Sequence, residues 1–272
     1  MTQLGLDFEA PRLVKVTPNR LATWGDCPRR YRMTYLDRPS PPRGGAWAHS
    51  TLGAVVHLAL RALFDLAPAE RTPDRAATLV DRHWTSEGFR DAEQAARYRE
   101  RARAWLAGYE LPDDEPVALE KWVSVATERI VAGGRVDRID RRDQELVVVD
   151  YKTGRAPTVE DARRSRALAL YAVATARTLR RTCRRVELHH VPSGEVAAWT
   201  HDEASLREHV GAAERTAVEF AAASDALAAG GDPEALFPPR PAGRCATCDV
   251  RRNCPEGRAA APGRESWALL AP

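Results

Sequence analysis

A chain of 272 residues, 44% hydrophobic and 29% charged, can bury a substantial core as one large domain or two small ones, and its net charge of +3 makes no general case for a nucleic-acid or membrane partner. No apolar run approaches the roughly 20 residues of a membrane span, and the N-terminus shows no basic-then-apolar leader. A cytoplasmic protein is expected, in which five cysteines favour metal or redox chemistry over disulfides.

Residues 1–15 read as a flexible arm. Within it, Gln3-Leu4-Gly5-Leu6-Asp7-Phe8 has a Gln followed by spaced apolar side chains able to fill a hydrophobic groove. It resembles the peptide by which bacterial DNA enzymes dock on the sliding clamp; packing on its own domain is the alternative. A helix is expected from Thr17-Pro18, with Thr as cap and Pro at the first helical position. Cys27-Pro28-Arg29-Arg30-Tyr31 follows, and Arg38 to Gly45 reads as a loop. The apolar spacing of Leu52, Val55, Val56, Ala59, Leu60 and Leu63 predicts a second helix over 50–65. His57 in its middle is either a core histidine or a nitrogen ligand to a metal. Two more helices over 73–109 belong to a helical insert, 66–112, whose aromatics read as core.

The period then changes from helical to alternating. Strands are predicted near 117–125, near 128–140 with an interruption at Gly133-Gly134, and near 145–151, an antiparallel meander with a turn at Arg142-Asp143-Gln144. Its third strand ends Val147-Val148-Val149-Asp150-Tyr151-Lys152-Thr153-Gly154. Side chains two apart share a strand face, so Asp150 and Lys152 project together. Asp137 lies across the turn. Two carboxylates converging beside a lysine make an oxygen-rich pocket for Mg²⁺ or Mn²⁺, and the lysine can offset charge developing on a phosphate. Only Lys15, Lys121 and Lys152 are lysines among 41 basic residues, so a lysine in an acid-x-lysine triplet stands out. Glu120 reaches the same site from the neighbouring strand or is a surface glutamate.

One helix over 159–181 is expected to carry Arg163, Arg164, Arg166 and Tyr171; its arginines face either a phosphate backbone or solvent. A hairpin near 185–200 and a helix over 203–229 follow. The C-terminal region, 240–256, reads C-x2-C-x5-C at Cys245, Cys248 and Cys254, and 257–272 is a tail. A fourth thiolate comes from Cys27 or Cys183. Four cysteines bind Zn²⁺ or hold an iron–sulfur cluster, and one distant cysteine plus a close triplet suits [4Fe–4S] better than zinc.

In this order the Cys27-Pro28-Arg29-Arg30-Tyr31 box, His57, Gly134-Arg135-Val136-Asp137-Arg138-Ile139-Asp140, Asp150-Tyr151-Lys152-Thr153-Gly154 and the cysteine triplet resemble the RecB-like branch of the PD-(D/E)xK nuclease superfamily. Its iron–sulfur members, such as the AddB nuclease domain and the CRISPR-adaptation nucleases, are the nearest in pattern. The resemblance covers about 16–256 as a single nuclease domain, with 117–200 as catalytic core. It implies an α/β, restriction-endonuclease-like fold: a central mixed sheet flanked by helices, with helical N-terminal and insert segments. It also implies that His57, Asp137, Asp150 and the Tyr151 carbonyl ligate Mg²⁺ or Mn²⁺ and that Lys152 positions water or stabilises the transition state. Glu120 and Tyr171 complete the catalytic set. Cys27, Cys245, Cys248 and Cys254 hold the cluster, and Arg29, Arg30, Arg163, Arg164 and Arg166 meet DNA. Relatives carry Gln-x-x-x-Tyr on the helix after the lysine; here Tyr171 is present but the Gln position is Ala167. The implied activity is a deoxyribonuclease acting on single strands or duplex ends, in repair, recombination or defence beside a helicase or complex subunits. CRISPR spacer processing, or DNA-end binding through a weakened site, are the alternatives.

Overall fold

The computed structural model describes residues 13–112 and 115–270. The candidate clamp peptide Gln3–Phe8 lies outside the described residues. The N-terminal half is mainly helical: β1 (Val14–Val16), α1 (Pro18–Asp26), α2 (Pro28–Tyr35), α3 (Ala48–Phe64), α4 (Pro73–His83) and α5 (Ala92–Ala107). Then come β2 (Ala118–Ala126), β3 (Ile130–Arg142), β4 (Glu145–Lys152), α6 (Val159–Arg164), α7 (Arg166–Leu179), β5 (Cys183–His190), β6 (Val196–Thr200), α8 (Glu203–Ala228), α9 (Pro233–Leu236) and α10 (Pro255–Ala260). No described helix is long and apolar enough to cross a membrane.

The strands form one mixed sheet in the order β1-β3-β4-β5-β6, with β2 paired to β3. The expected meander β2–β3–β4 is antiparallel, β4 and β5 are parallel, and β1 runs parallel to the start of β3. β1 takes its residues from the end of the stretch expected as an arm. The expected turn is tight: Arg142 pairs with Glu145, and Asp143 adopts φ 55°, a left-handed conformation that an Asp side chain tolerates.

Strand β4 is buried on both faces, which explains its unbroken Val147-Val148-Val149 run. Leu146 and Val148 enter a core shared with α1, α7 and α8, while Val147, Val149 and Tyr151 enter a second core built with α3, α4 and α5. The helices therefore flank the sheet on both sides, and the chain has the mixed α/β architecture expected of a restriction-endonuclease-like fold.

Two expectations change. The single helix over 159–181 is two helices, because Ser165 adopts an extended ψ of 100° and its hydroxyl caps α7 by accepting from Leu168 N–H at 3.2 Å. Strand β3 runs through Gly133-Gly134, where an interruption was expected, and is irregular farther on. Val136 and Ile139 both face the α7 core, an odd spacing that strict alternation forbids. The change of phase falls at Asp137 and at Glu120, where the ladder between β2 and β3 skips a pair and Glu120 takes φ 46°. Such an irregularity re-aims side chains, here both acids toward α3.

Candidate metal centre

The pairing of β3 with β4 ends at Arg138–Val149, so the strands part at Asp137 and Asp150. Asp137 turns into the gap, where its Oδ2 accepts from the Tyr151 N–H at 3.0 Å. Helix α3 crosses above, and His57 Nδ1 lies 3.4 Å from Asp137 Oδ2, with Nε2 3.2 Å from the Tyr151 carbonyl oxygen. His57, Glu120 and Asp137 each offer a ligand atom within 4.8 Å of the others, the only such group of three or more His, Cys, Asp or Glu among the described residues. Asp150 sits beside them, and its carboxylate pairs with Lys152 Nζ, as the period-two reading of β4 requires.

Tyr171 approaches from the other side of the sheet. A Cβ at Gly134 would lie 2.6 Å from its ring, so only glycine lets α7 come this close. Burial, then the charges of Asp150 and Asp137, push the Tyr171 phenol up to about 12. Ala167 lines a shallow cavity with Asp150, Lys152, Arg155 and Ser165.

The electrostatics of this cluster are those of carboxylates short of positive charge. Burial raises the Asp150 carboxyl above its ordinary range, and the neighbouring Asp137 adds to the rise against the pull of Lys152. Glu120 is raised by burial and then by Asp137. Burial alone would lower the His57 imidazolium, but its bond to Asp137 and the charges of Asp137, Asp150 and Glu120 prevail and raise it. Both ring nitrogens face acceptors, so a protonated His57 supplies the charge that a cation would otherwise bring. Two acids and an imidazole within 4.8 Å of one another, with the Tyr151 carbonyl oxygen against the imidazole, fit a hard divalent ion.

Residues 15–255 match the sequence model of the PD-(D/E)XK nuclease superfamily. The chain belongs to that superfamily. Its members use divalent metals on DNA, and the acidic cluster is the candidate for such a centre. Among solved structures, a protein from Eubacterium rectale named "putative exonuclease" superposes with a TM-score of 0.52 over 93% of each chain, at 12% identity. At that identity the likeness is one of fold. No curated protein matches the chain significantly.

The other expected site residues are placed as follows. Cys183 is a core residue on β5, its thiol pushed up to about 12 by burial. Cys27, Cys245, Cys248 and Cys254 line one cavity of about 150 Å³ between α2 and the C-terminal segment. No three of them bring their sulfurs within 4.8 Å of one another. Arg29 and Arg30 were expected at DNA. Instead Arg29 is buried against Glu256, at 2.6 Å, and Glu234, while Arg30 reaches Asp249 at 2.8 Å. Both tie α2 to the C-terminal segment. Arg163 and Arg164 pair with Glu160, and Arg166 reaches Thr216 Oγ1 at 3.4 Å.

One group of residues had no role in the sequence reading. Behind Tyr151, the fully buried Arg138 donates to the hydroxyls of Tyr151 at 3.1 Å and Tyr109 at 3.2 Å and pairs with Asp140 at 2.9 Å. Tyr109 meets His189 Nδ1 at 2.9 Å, whose Nε2 lies 2.9 Å from Glu187. Arg142 and Arg185 close on Glu187 at 2.9 and 2.7 Å. The network grips the ring of the residue whose backbone joins Asp137 to His57. The only sequence signal was the second half of the Gly-x-x-Asp segment, Arg138-Ile139-Asp140, which a surface strand explains equally well.

Proposed function

We propose that the chain is a Mg²⁺- or Mn²⁺-dependent deoxyribonuclease of the RecB-like branch that hydrolyses phosphodiester bonds from a DNA end. The observation that carries this reading is the convergence of His57, Glu120 and Asp137 beside the Asp150–Lys152 pair. His57, Asp137, Asp150 and the Tyr151 carbonyl would hold the ion, with Glu120 completing the set. A bound divalent cation supplies Lewis-acid polarisation of the phosphate and a water of lowered pKa. Lys152, paired with Asp150, would offset charge developing on the phosphate. The Tyr171 phenol stays protonated at neutral pH and can donate a hydrogen bond there. Exonuclease action is supported by the name of the Eubacterium rectale protein alone. A role in repair, recombination or defence beside a helicase follows from the branch.

A [4Fe–4S] cluster at Cys27, Cys245, Cys248 and Cys254 is part of the proposal, in a structural role. Two backbone N–H groups donate to these cysteines, Ala242 to Cys245 at 3.4 Å and Gly257 to Cys254 at 3.3 Å, a contact that would tune the potential of a bound cluster. Tetrahedral zinc with bonds of about 2.3 Å would draw the sulfurs to about 3.8 Å apart. No three of the sulfurs lie within 4.8 Å of one another, so such a site would need them to close up; in a cluster each thiolate would hold a different iron.

The test is cleavage of end-labelled single- and double-stranded DNA with Mn²⁺ by the wild type and Asp150→Ala. The variant is expected to lose at least about a thousandfold in rate; equal rates would falsify the site. Anaerobically purified protein should absorb as a cluster protein and lose that absorption in Cys248→Ala. Zinc without iron in elemental analysis rejects the cluster.

A further inference from the structure

Beyond the acidic cluster, the ribbon of β2 and β3 continues as an uncovered face. Trp122 stands on it with 57% of its surface exposed, the most exposed large hydrophobic side chain among the described residues. Its cross-strand partner is Arg135. These two are the next same-face pair beyond Glu120 and Asp137, about 7 Å along the strands at roughly 3.3 Å per residue. The indole lies against Gly133, where a Cβ would sit 3.1 Å from its ring, so the strand leaves room for it. The Arg135 guanidinium is exposed and reaches Glu120 only at 3.7 Å. Arg61, one turn beyond His57 on α3, also acts on Glu120 and has no ion pair among the described residues. An aromatic ring and two guanidinium groups thus border the mouth of the cluster.

An exposed indole opposite a cation is poorly explained by folding: it leaves more than half of its surface to water. It is well explained by a ligand that is both planar and anionic. A nucleobase has a face for the indole, and the adjoining phosphate has oxygens for the guanidinium. In a stacked duplex that base face is covered by its neighbours. We infer that Trp122 is a stacking platform for a nucleobase of the strand being cut, with Arg135 against the backbone beside it. The substrate at the site is therefore an unpaired strand, as single-stranded DNA or a frayed end. The inference rests on the nuclease reading and names the form of DNA that the same site takes.

The test uses a fluorescein-labelled oligothymidylate and a series in which one abasic nucleotide is stepped along it. Binding is measured by anisotropy with Ca²⁺ in place of Mn²⁺, and cleavage of the same oligonucleotides is measured with Mn²⁺. For the wild type, one abasic position should weaken binding roughly tenfold. Trp122→Ala should bind the intact strand about as weakly, should lose its sensitivity to that position, and should show the defect in KM more than in kcat. Trp122→Phe should restore most of both. An abasic profile in Trp122→Ala that matches the wild type overturns the inference, and is the result expected if Trp122 serves a protein partner instead. If the wild type neither binds nor cleaves these strands, the nuclease reading itself fails, a distinct outcome.

Discussion

Two acid-rich clusters share strand β3 and lie on either side of Tyr151, and their charge balance is opposite. Around Asp137, Asp150 and Glu120 the carboxylates crowd one another, and burial with mutual repulsion raises Asp150 and Glu120. Around Glu187 and Asp140 the acids are enclosed by Arg138, Arg142 and Arg185. Burial would raise Glu187 too, but His189, Arg185 and Arg142 bring it down to about 2. The two sites share a residue vocabulary and a neighbourhood. The direction of the pKa shift separates an acid held by its own protein from one that waits for a cation. Tyr151 couples them: its ring is held by the balanced cluster, and its backbone builds the unbalanced one.

The sharpest way to break this contrast is to remove the central cation of the balanced cluster. Arg138→Met leaves Asp140 buried without its closest partner, and unfolding in urea should show a loss of about 3–5 kcal/mol. A loss under 1 kcal/mol would mean that the network is not structural. Acid titration probes the same cluster more gently. The folded pKa of Glu187 lies below its ordinary value, so its stabilisation is fully present above about pH 4.5 and drains away as pH falls toward 2. The contribution is at most about 3 kcal/mol, and Glu187→Gln should flatten that part of the stability curve between pH 5 and 3. An unchanged curve removes Glu187 from the account.

The unbalanced cluster should respond in the opposite sense. Mn²⁺ at a hundred times its dissociation constant should stabilise the wild type by about 2.7 kcal/mol, read as a rise in melting temperature, and Asp137→Asn should abolish the rise. A rise that survives in the variant places the ion elsewhere. The smallest effect is expected from Asp150→Asn without metal, whose stability should change by no more than about 1 kcal/mol, because burial and Asp137 offset what the Lys152 pair contributes. A loss of 3 kcal/mol or more would show that Asp150 is held like Glu187, and the contrast between the clusters would collapse.

Much of the architecture was legible in local pattern. The Val147-Val148-Val149 run, the alternation of β2, the Thr17-Pro18 start of α1 and the apolar stripe of α3 each carry their period in the sequence, and each element formed where expected. The acid-x-lysine triplet was readable for the same reason, since a strand fixes Asp150 and Lys152 on one face whatever surrounds it. The break at Ser165 was not readable, because Arg163 to Arg166 fits a continuous helix equally well and a single ψ decides it.

By itself, then, the sequence determined which elements form and that one strand end carries two of the site's charges. Only tertiary structure decided how many charges meet there and what balances them. His57 comes from a helix about 80 residues away from Asp137 in the chain, and Glu120 is aimed inward by a change of strand phase that no local pattern records. The arginines show the same limit. Arg29, Arg30 and Arg138 look alike as letters, yet packing turned the first two into clamps on the C-terminal segment and buried the third behind Tyr151. Periodicity is a property of neighbours along the chain, whereas charge balance is a sum over neighbours in space.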